Sequence, residues 1–499
     1  MKLPRIMIAA PKSGSGKTML TCVLLELLKN QNKNIFSVKA GPDFIDPLFH
    51  ETVQGVRCFN LDTFFTDKEM TSKLLYEDMI TCSSECCKDG AGNGQKGTKE
   101  QAVHPDDGQG GKSPYCLMEG VMGLYDGIGG VELHGSSYEL AQWTQTPVIL
   151  LVDAKGAGRS LLAVIAGMLE MDTEHLICGV ILNRISKGFY PRMKELIESE
   201  LDISVFGFLP EREELTIKSR YLGLVLPDEI ANLSKRIKTA ADIARDRIDM
   251  EAICRVMESA EDISGDPNQK RRQRTAKGSF TGWDLPHDGC ASGDEPPTLN
   301  LAVAKDEAFC FYYRENLRIL EQAGFRLVPF SPIRDKALPP DTHALLLGGG
   351  YPELYAGELS ANQSMRQSIR QALQSGMPVI AECGGFLYLH EWLRDRENAQ
   401  YPMCGVLPAG AFYANRSVRF GYIIIEETQS GASVRGHEFH HFESEDRGKD
   451  LVATKPYDGS SYRTGHFSGG QYLGFPHLYL PSAPAFVQRF VREAEGYAH

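Results

Sequence analysis

Residues 5–10, Arg-Ile-Met-Ile-Ala-Ala, form a short apolar run that leads directly into Pro11-Lys12-Ser13-Gly14-Ser15-Gly16-Lys17-Thr18 and then into an amphipathic stretch over 19–29. Strand, glycine-rich loop and helix in that order are the context a phosphate-binding loop requires. Successive backbone N–H groups and the positive end of the helix would cradle phosphate oxygens, with Gly14 and Gly16 giving the turn its freedom. Lys17 is placed to offset the charge of the terminal phosphates, and the Thr18 hydroxyl to ligate Mg²⁺. The motif departs from the usual pattern at its first position, where Pro11 stands in place of glycine. It nevertheless commits the first half of the chain to nucleotide chemistry.

Composition narrows the rest. A chain of 499 residues is too long for one core and predicts two or three domains. The apolar fraction of 42% and charged fraction of 24% are those of ordinary globular protein. A net charge of −12 argues against nucleic-acid or acidic-membrane partners. No apolar run approaches the roughly 20 residues a membrane span needs, and the chain enters a strand without a signal-peptide core, so a cytoplasmic enzyme is expected. The 12 cysteines do not suggest a disulfide framework. Cys82, Cys86, Cys87 and Cys116 read as thiols in an exposed loop rather than as a zinc site, because no second short-spaced pair accompanies them.

Short, continuously apolar segments at 35–39, 115–118, 148–152, 178–182 and 204–209 alternate with helix-like stretches such as 160–170 and 192–200. That alternation predicts a doubly wound parallel sheet. It resumes at 300–304, 326–330, 344–347 and 378–381, with helices at 314–323 and 364–374, which predicts a second α/β domain. Residues 83–114 carry almost no aliphatic side chain until Tyr115 and read as a flexible insertion. Residues 264–297, with the basic run Lys270-Arg271-Arg272-Gln273-Arg274, read as a linker. The expected domains are therefore 1–263, which carries the phosphate loop, and 298–499, a second α/β domain, joined by the 264–297 linker.

Acids cluster just past the expected strand ends, where open α/β sheets bind ligands. Asp43 and Asp46 follow one strand, and Glu119 and Asp126 another. Ala40-Gly41-Pro42-Asp43-Phe44-Ile45-Asp46-Pro47, Asn60-Leu61-Asp62-Thr63-Phe64-Phe65, Met118-Glu119-Gly120-Val121-Met122-Gly123, Ile181-Leu182-Asn183-Arg184 and Arg220-Tyr221-Leu222-Gly223-Leu224-Val225 together resemble the N-terminal domain of cobyrinic acid a,c-diamide synthases. That domain is similar in fold to dethiobiotin synthetase. The resemblance implies that ATP phosphorylates a substrate carboxylate and that ammonia displaces the phosphate. It implies Thr18, Asp43 and Glu119 as Mg²⁺ ligands, Asp46 and Asp126 at the substrate or acyl phosphate, and Asn183 and Arg184 near the adenine, with a strand-end cap as the alternative for the last pair. Lys12 sits where related P-loops of the MinD type carry an extra lysine, which leaves a homodimer open.

In the second half, Met377-Pro378-Val379-Ile380-Ala381-Glu382-Cys383-Gly384-Gly385 reads as strand, cysteine and helix start, the architecture of a nucleophile elbow. Upstream, Leu347-Gly348-Gly349-Gly350 also follows a strand, and its backbone N–H groups, those of Gly349 and Gly350 in particular, can form an oxyanion hole. His437, His440, His441 and His477 are all candidate bases. The segment resembles class I glutamine amidotransferase domains of the cobyrinic and cobyric acid synthase type. By that resemblance Cys383 is the nucleophile and His477 the base. Other class I members carry an acid two residues after the histidine, where this chain has Tyr479. Arg419-Phe420-Gly421-Tyr422 and Arg435–His440 also match family segments and are expected to shape a substrate face.

The expected activity is amidation of the a and c carboxylates of cobyrinic acid in cobalamin biosynthesis, with L-glutamine or ammonia as donor, ATP and Mg²⁺. Hydrogenobyrinic acid, sirohydrochlorin, its nickel complex and siroheme are alternative acceptors. A MinD-like ATP switch is the reading from another class, and it leaves Cys383 with His477 unexplained.

Overall fold

The computed structural model describes residues 2–89, 113–215, 227–263, 299–428 and 431–498. The chain divides into two compact units, Met1–Lys277 and Gly278–His499. The division falls within 264–297, which lies outside the described residues, as do most of the 83–114 insertion and the 220–225 segment.

The first unit is built on a seven-stranded sheet in the order Cys58–Leu61, Ile35–Ala40, Tyr115–Glu119, Arg5–Ala9, Val148–Asp153, Ile177–Asn183 and Ser204–Leu209. Every neighbouring pair is parallel. The strands are mostly apolar because helices cover both faces, with the charged residues Lys39, Glu119 and Asp153 at or near their C-terminal ends; Ile6, Ile8, Ile149 and Leu151 are fully buried among Leu20, Val23 and Leu24 of helix Lys17–Asn30. Arg5–Ala9 sits centrally, so the loop that follows it opens beside the ends of Tyr115–Glu119 and Ile35–Ala40.

One expectation is corrected here. Helix Lys68–Asp89 runs into the segment read as a loop from residue 83, because no glycine or proline interrupts it before Gly90. Cys82 is buried on that helix and Cys116 in a strand, so they are not exposed loop thiols. Among the described residues no cysteine is in a disulfide, and no cluster of three or more His, Cys, Asp or Glu side chains is arranged to hold a metal. No described helix is long and apolar enough to cross a membrane.

The second unit centres on a six-stranded sheet in the order Phe325–Phe330, Leu299–Ala304, Ala344–Leu347, Val379–Glu382, Gln471–Gly474 and His466–Ser468. Its first five strands are parallel and the sixth is antiparallel. Beside it lies a five-stranded antiparallel sheet that includes Arg419–Glu427, Ser433–His440 and the two-residue strand His477–Leu478. The α/β alternation of the sequence does not foreshadow this β-rich stretch, whose strands mix buried and exposed residues instead of running continuously apolar.

Candidate active sites

In the first unit, the loop after Arg5–Ala9 turns through Gly14 and Gly16, whose φ values are +74° and +97°. A side chain at Gly16 would be strained and would place its Cβ 2.7 Å from Asn183 Nδ2. That amide donates to the Ser15 carbonyl at 2.8 Å, so Asn183 fastens the loop from a neighbouring strand end. Arg184 pairs with Asp153, its Nε 2.8 Å from Oδ1. Lys12 lies in the loop with its carbonyl accepting from Ser15 Oγ at 2.9 Å. Asp126 Oδ2 accepts from the Gly123 N–H at 2.8 Å and ties its own loop.

Lys17 is buried and donates to the Met122 carbonyl. Burial first, and then repulsion from Lys39, lowers its pKa to about 8. Met122 holds a φ of +47°, a strained conformation for a non-glycine residue and one that collects at functional sites. Thr18 Oγ1 donates to Glu119 Oε1 at 2.6 Å.

Around Glu119 the structure gathers two residues that sequence reasoning missed. Lys39 Nζ lies 2.9 Å from Glu119, 2.5 Å from Asp46 and 3.9 Å from Asp43. His50 Nε2 lies 3.4 Å from Glu119 Oε2, and its Nδ1 is 3.1 Å from Gln54 Oε1. His50 opens a π-helical turn, His50–Gln54, a geometry frequent at functional sites. Burial penalises every charge here, and pairing decides the outcome. It raises Asp46 from 3.8 to about 7, reinforced by Glu119. Against burial, Lys39 and His50 hold the Glu119 carboxyl well below its usual range. The three carboxylates in turn keep Lys39 charged. The only signal for Lys39 was a lysine closing an apolar strand; His50 carried none.

Thr18 and Glu119 offer adjacent hard oxygens beside the phosphate loop, which fits Mg²⁺ completed by phosphate oxygens and waters. Asp43 fits less well, since its Oδ1 accepts from the Ile45 N–H at 2.8 Å and its Oδ2 faces Lys39.

In the second unit, Cys383 stands between strand Val379–Glu382 and the one-turn helix Gly384–Tyr388 at φ +46°, ψ −100°. This strained elbow lifts the sulfur out of the sheet. Its N–H donates to the Gly474 carbonyl at 2.8 Å, which sets the elbow against the segment that carries His477. A Cβ on Gly384 would come within 3.0 Å of the Gly350 nitrogen, and one on Gly349 within 2.4 Å of His477 Cε1. Cys383, His477, Gly349 and Gly350 therefore converge.

His477 is 2% exposed. Burial alone would lower its pKa, but a hydrogen bond with Cys383 and the nearby Glu382 raise it from 6.5 to about 10. Glu382 Oε2 lies 3.5 Å from His477 Nδ1. His437, the register partner of His477, stacks on it with centroids 4.9 Å apart and planes 16° apart. Its Nδ1 is 2.9 Å from the Tyr313 hydroxyl. Burial, then the charge of His477, pushes His437 well below its ordinary pKa. His440 is occupied by the Phe442 carbonyl at 2.7 Å and stacks on Phe475.

Residues 6–223 match the CobQ/CobB/MinD/ParA nucleotide binding domain family, and residues 300–472 the CobB/CobQ-like glutamine amidotransferase domain family. A Listeria innocua protein named cobyrinate a,c-diamide synthase is 32% identical over 497 residues, covering 97% of this chain and 98% of that protein. Proteins of the same name from Caldanaerobacter subterraneus and Thermoplasma volcanium are 33% and 30% identical, covering 97% and 100% of this chain and 97% and 99% of their own lengths.

Proposed function

Because this chain belongs to the cobyrinate a,c-diamide synthase family, we propose that it amidates the a and c carboxylates of cobyrinic acid in cobalamin biosynthesis, using ATP and glutamine-derived ammonia. The observation that carries this reading is the presence in one chain of a phosphate loop facing Lys39 and Glu119, and of a strained cysteine converging with His477.

A carboxylate resists ammonia because oxide is a poor leaving group. A substrate carboxylate oxygen attacks the γ-phosphorus of ATP, the bond to the bridging oxygen breaks, and ADP departs. Ammonia then attacks the acyl carbon and phosphate leaves. The protein's part is positioning and charge neutralisation. Lys17 turns from the Met122 carbonyl to the β and γ phosphates. Thr18 and Glu119 would hold Mg²⁺, which when bound neutralises phosphate charge. Lys39, gathered by Glu119 and Asp46, supplies the cation for the incoming carboxylate.

In the glutaminase step the Cys383 sulfur attacks the glutamine carboxamide. His477 holds the proton the thiol gives up and passes it to the departing nitrogen, while the Gly349 and Gly350 N–H groups face the developing oxyanion. Water then cleaves the thioester, giving glutamate and restoring the thiol.

The test is ADP release and product mass with cobyrinic acid, hydrogenobyrinic acid, sirohydrochlorin and its nickel complex, each with glutamine. Diamidation of cobyrinic acid at the highest kcat/KM is expected. Preference for another macrocycle would replace the acceptor, and no ATP turnover with any of them would reject the coupled reaction.

A further inference from the structure

We propose that Glu382 orients His477 for glutamine cleavage, so that the third member of the catalytic group comes from the residue before the nucleophile. The inference rests on the glutaminase reading above. Glu382 is 5% exposed, a burial that a carboxyl group tolerates only with partners. Its Oε1 accepts the Leu478 N–H at 3.0 Å, and its Oε2 lies 3.5 Å from His477 Nδ1. The carboxylate is thus anchored to the backbone next to the ring it faces. Strand register makes the arrangement rigid: Glu382 pairs with Gly474, and the next residue donates its N–H to the Gly474 carbonyl.

The other groups around His477 do not compete for this role. Tyr479, two residues on, packs edge-on against Tyr313 with centroids 5.7 Å apart. Glu438, the other buried acid that feels the charge of His477, accepts from the Tyr462 hydroxyl and lies 4.0 Å from Arg419 Nε. It follows His437 on its strand and so projects from the opposite face. His437 covers the flat face of the His477 ring and engages Tyr313 through Nδ1. His440 faces the Phe442 carbonyl. Of these described groups, Glu382 is the one that approaches the ring edge at Nδ1. A proton kept there leaves Nε2 to serve Cys383, on the side where Gly349 approaches. A separation of 3.5 Å is long for a hydrogen bond, and catalytic contacts of this kind tighten once substrate is bound.

Glu382→Gln is the informative change. It keeps an oxygen for the Leu478 N–H but presents an NH₂ group to Nδ1, favouring the wrong tautomer. In the full chain, kcat with glutamine should fall on the order of 10⁴-fold with KM nearly unchanged, as expected when the group orienting a catalytic histidine is made neutral. The basic limb of the pH–kcat/KM profile should move to lower pH, because one of the two groups that raise His477 is gone. Glu382→Asp should restore part of the rate, and turnover supported by ammonium should persist in both variants. Wild-type glutamine kcat and pH profile in Glu382→Gln would overturn the proposal. So would equal loss of glutamine- and ammonium-supported turnover in both variants, which would make Glu382 a structural strut. Glutamine turnover that survives Cys383→Ala would instead refute the glutaminase reading, and the inference with it.

Discussion

Replacing Gly349 by alanine should separate the two activities of this chain. Gly349 does not sit in left-handed backbone, so alanine brings no torsional strain. The cost is contact. The new methyl carbon would lie 2.4 Å from His477 Cε1 and 3.3 Å from its Nε2. Carbon atoms rest at about 3.5–4.0 Å, so the ring or the loop must retreat by about 1 Å. His477 has little room to do so, with His437 stacked on one face at 4.9 Å and Glu382 3.5 Å from Nδ1. A misplacement of about 1 Å in a catalytic group costs on the order of 10²-fold in rate. Glutamate release should therefore fall about 10²-fold, with ADP formation on ammonium unchanged. The assay compares glutamate release from glutamine with ADP release at saturating ammonium. Glutamate release within twofold of wild type would show that the loop moves away freely, and would refute the claim that the ring is held in place.

Cys383→Ala should abolish glutamine-supported amidation and retain ammonium-supported amidation; loss of both would argue against separate sites for the two steps. Lys39→Met removes the ammonium shared by Glu119, Asp46 and Asp43, and breaking a buried ion cluster from one side should destabilise the protein by about 3 kcal/mol in urea unfolding at pH 7, whereas a shift below about 1 kcal/mol would show that His50 alone compensates Glu119. Asp46 has a folded pKa raised from 3.8 to about 7, so the stability it contributes is complete below pH 3.8 and is lost as pH rises through 7. Asp46→Asn should therefore flatten the decline in stability between about pH 4 and 7; superimposable wild-type and variant profiles of urea midpoint against pH would contradict this.

Much of the chemistry was legible from short segments. A strand followed by Gly14-Ser15-Gly16-Lys17-Thr18, and another followed by Cys383-Gly384-Gly385, each specify their backbone within a few residues, because positive φ and close packing restrict which side chains fit. The parallel strands were readable for a related reason, since burial on both faces forces continuous apolar runs. The antiparallel sheet built on 419–427 and 433–440 was not, because its strands mix buried and exposed residues instead of running continuously apolar, and one of its pairs joins Ser433–His440 to the distant His477–Leu478. Helix Lys68–Asp89 outlasted its apolar pattern for want of a breaker.

The sequence by itself determined which groups could react: a lysine and threonine at a phosphate loop, a cysteine at an elbow, and a set of histidines. Tertiary structure decided which of those histidines lies beside Cys383, by pairing His477 with His437 across strands and setting Glu382 at its edge. It also decided that Lys39 and His50 converge on Glu119. The physical reason is range. Backbone geometry is encoded locally, whereas the charge state of a buried group depends on partners that only the folded sheet brings within a few ångströms.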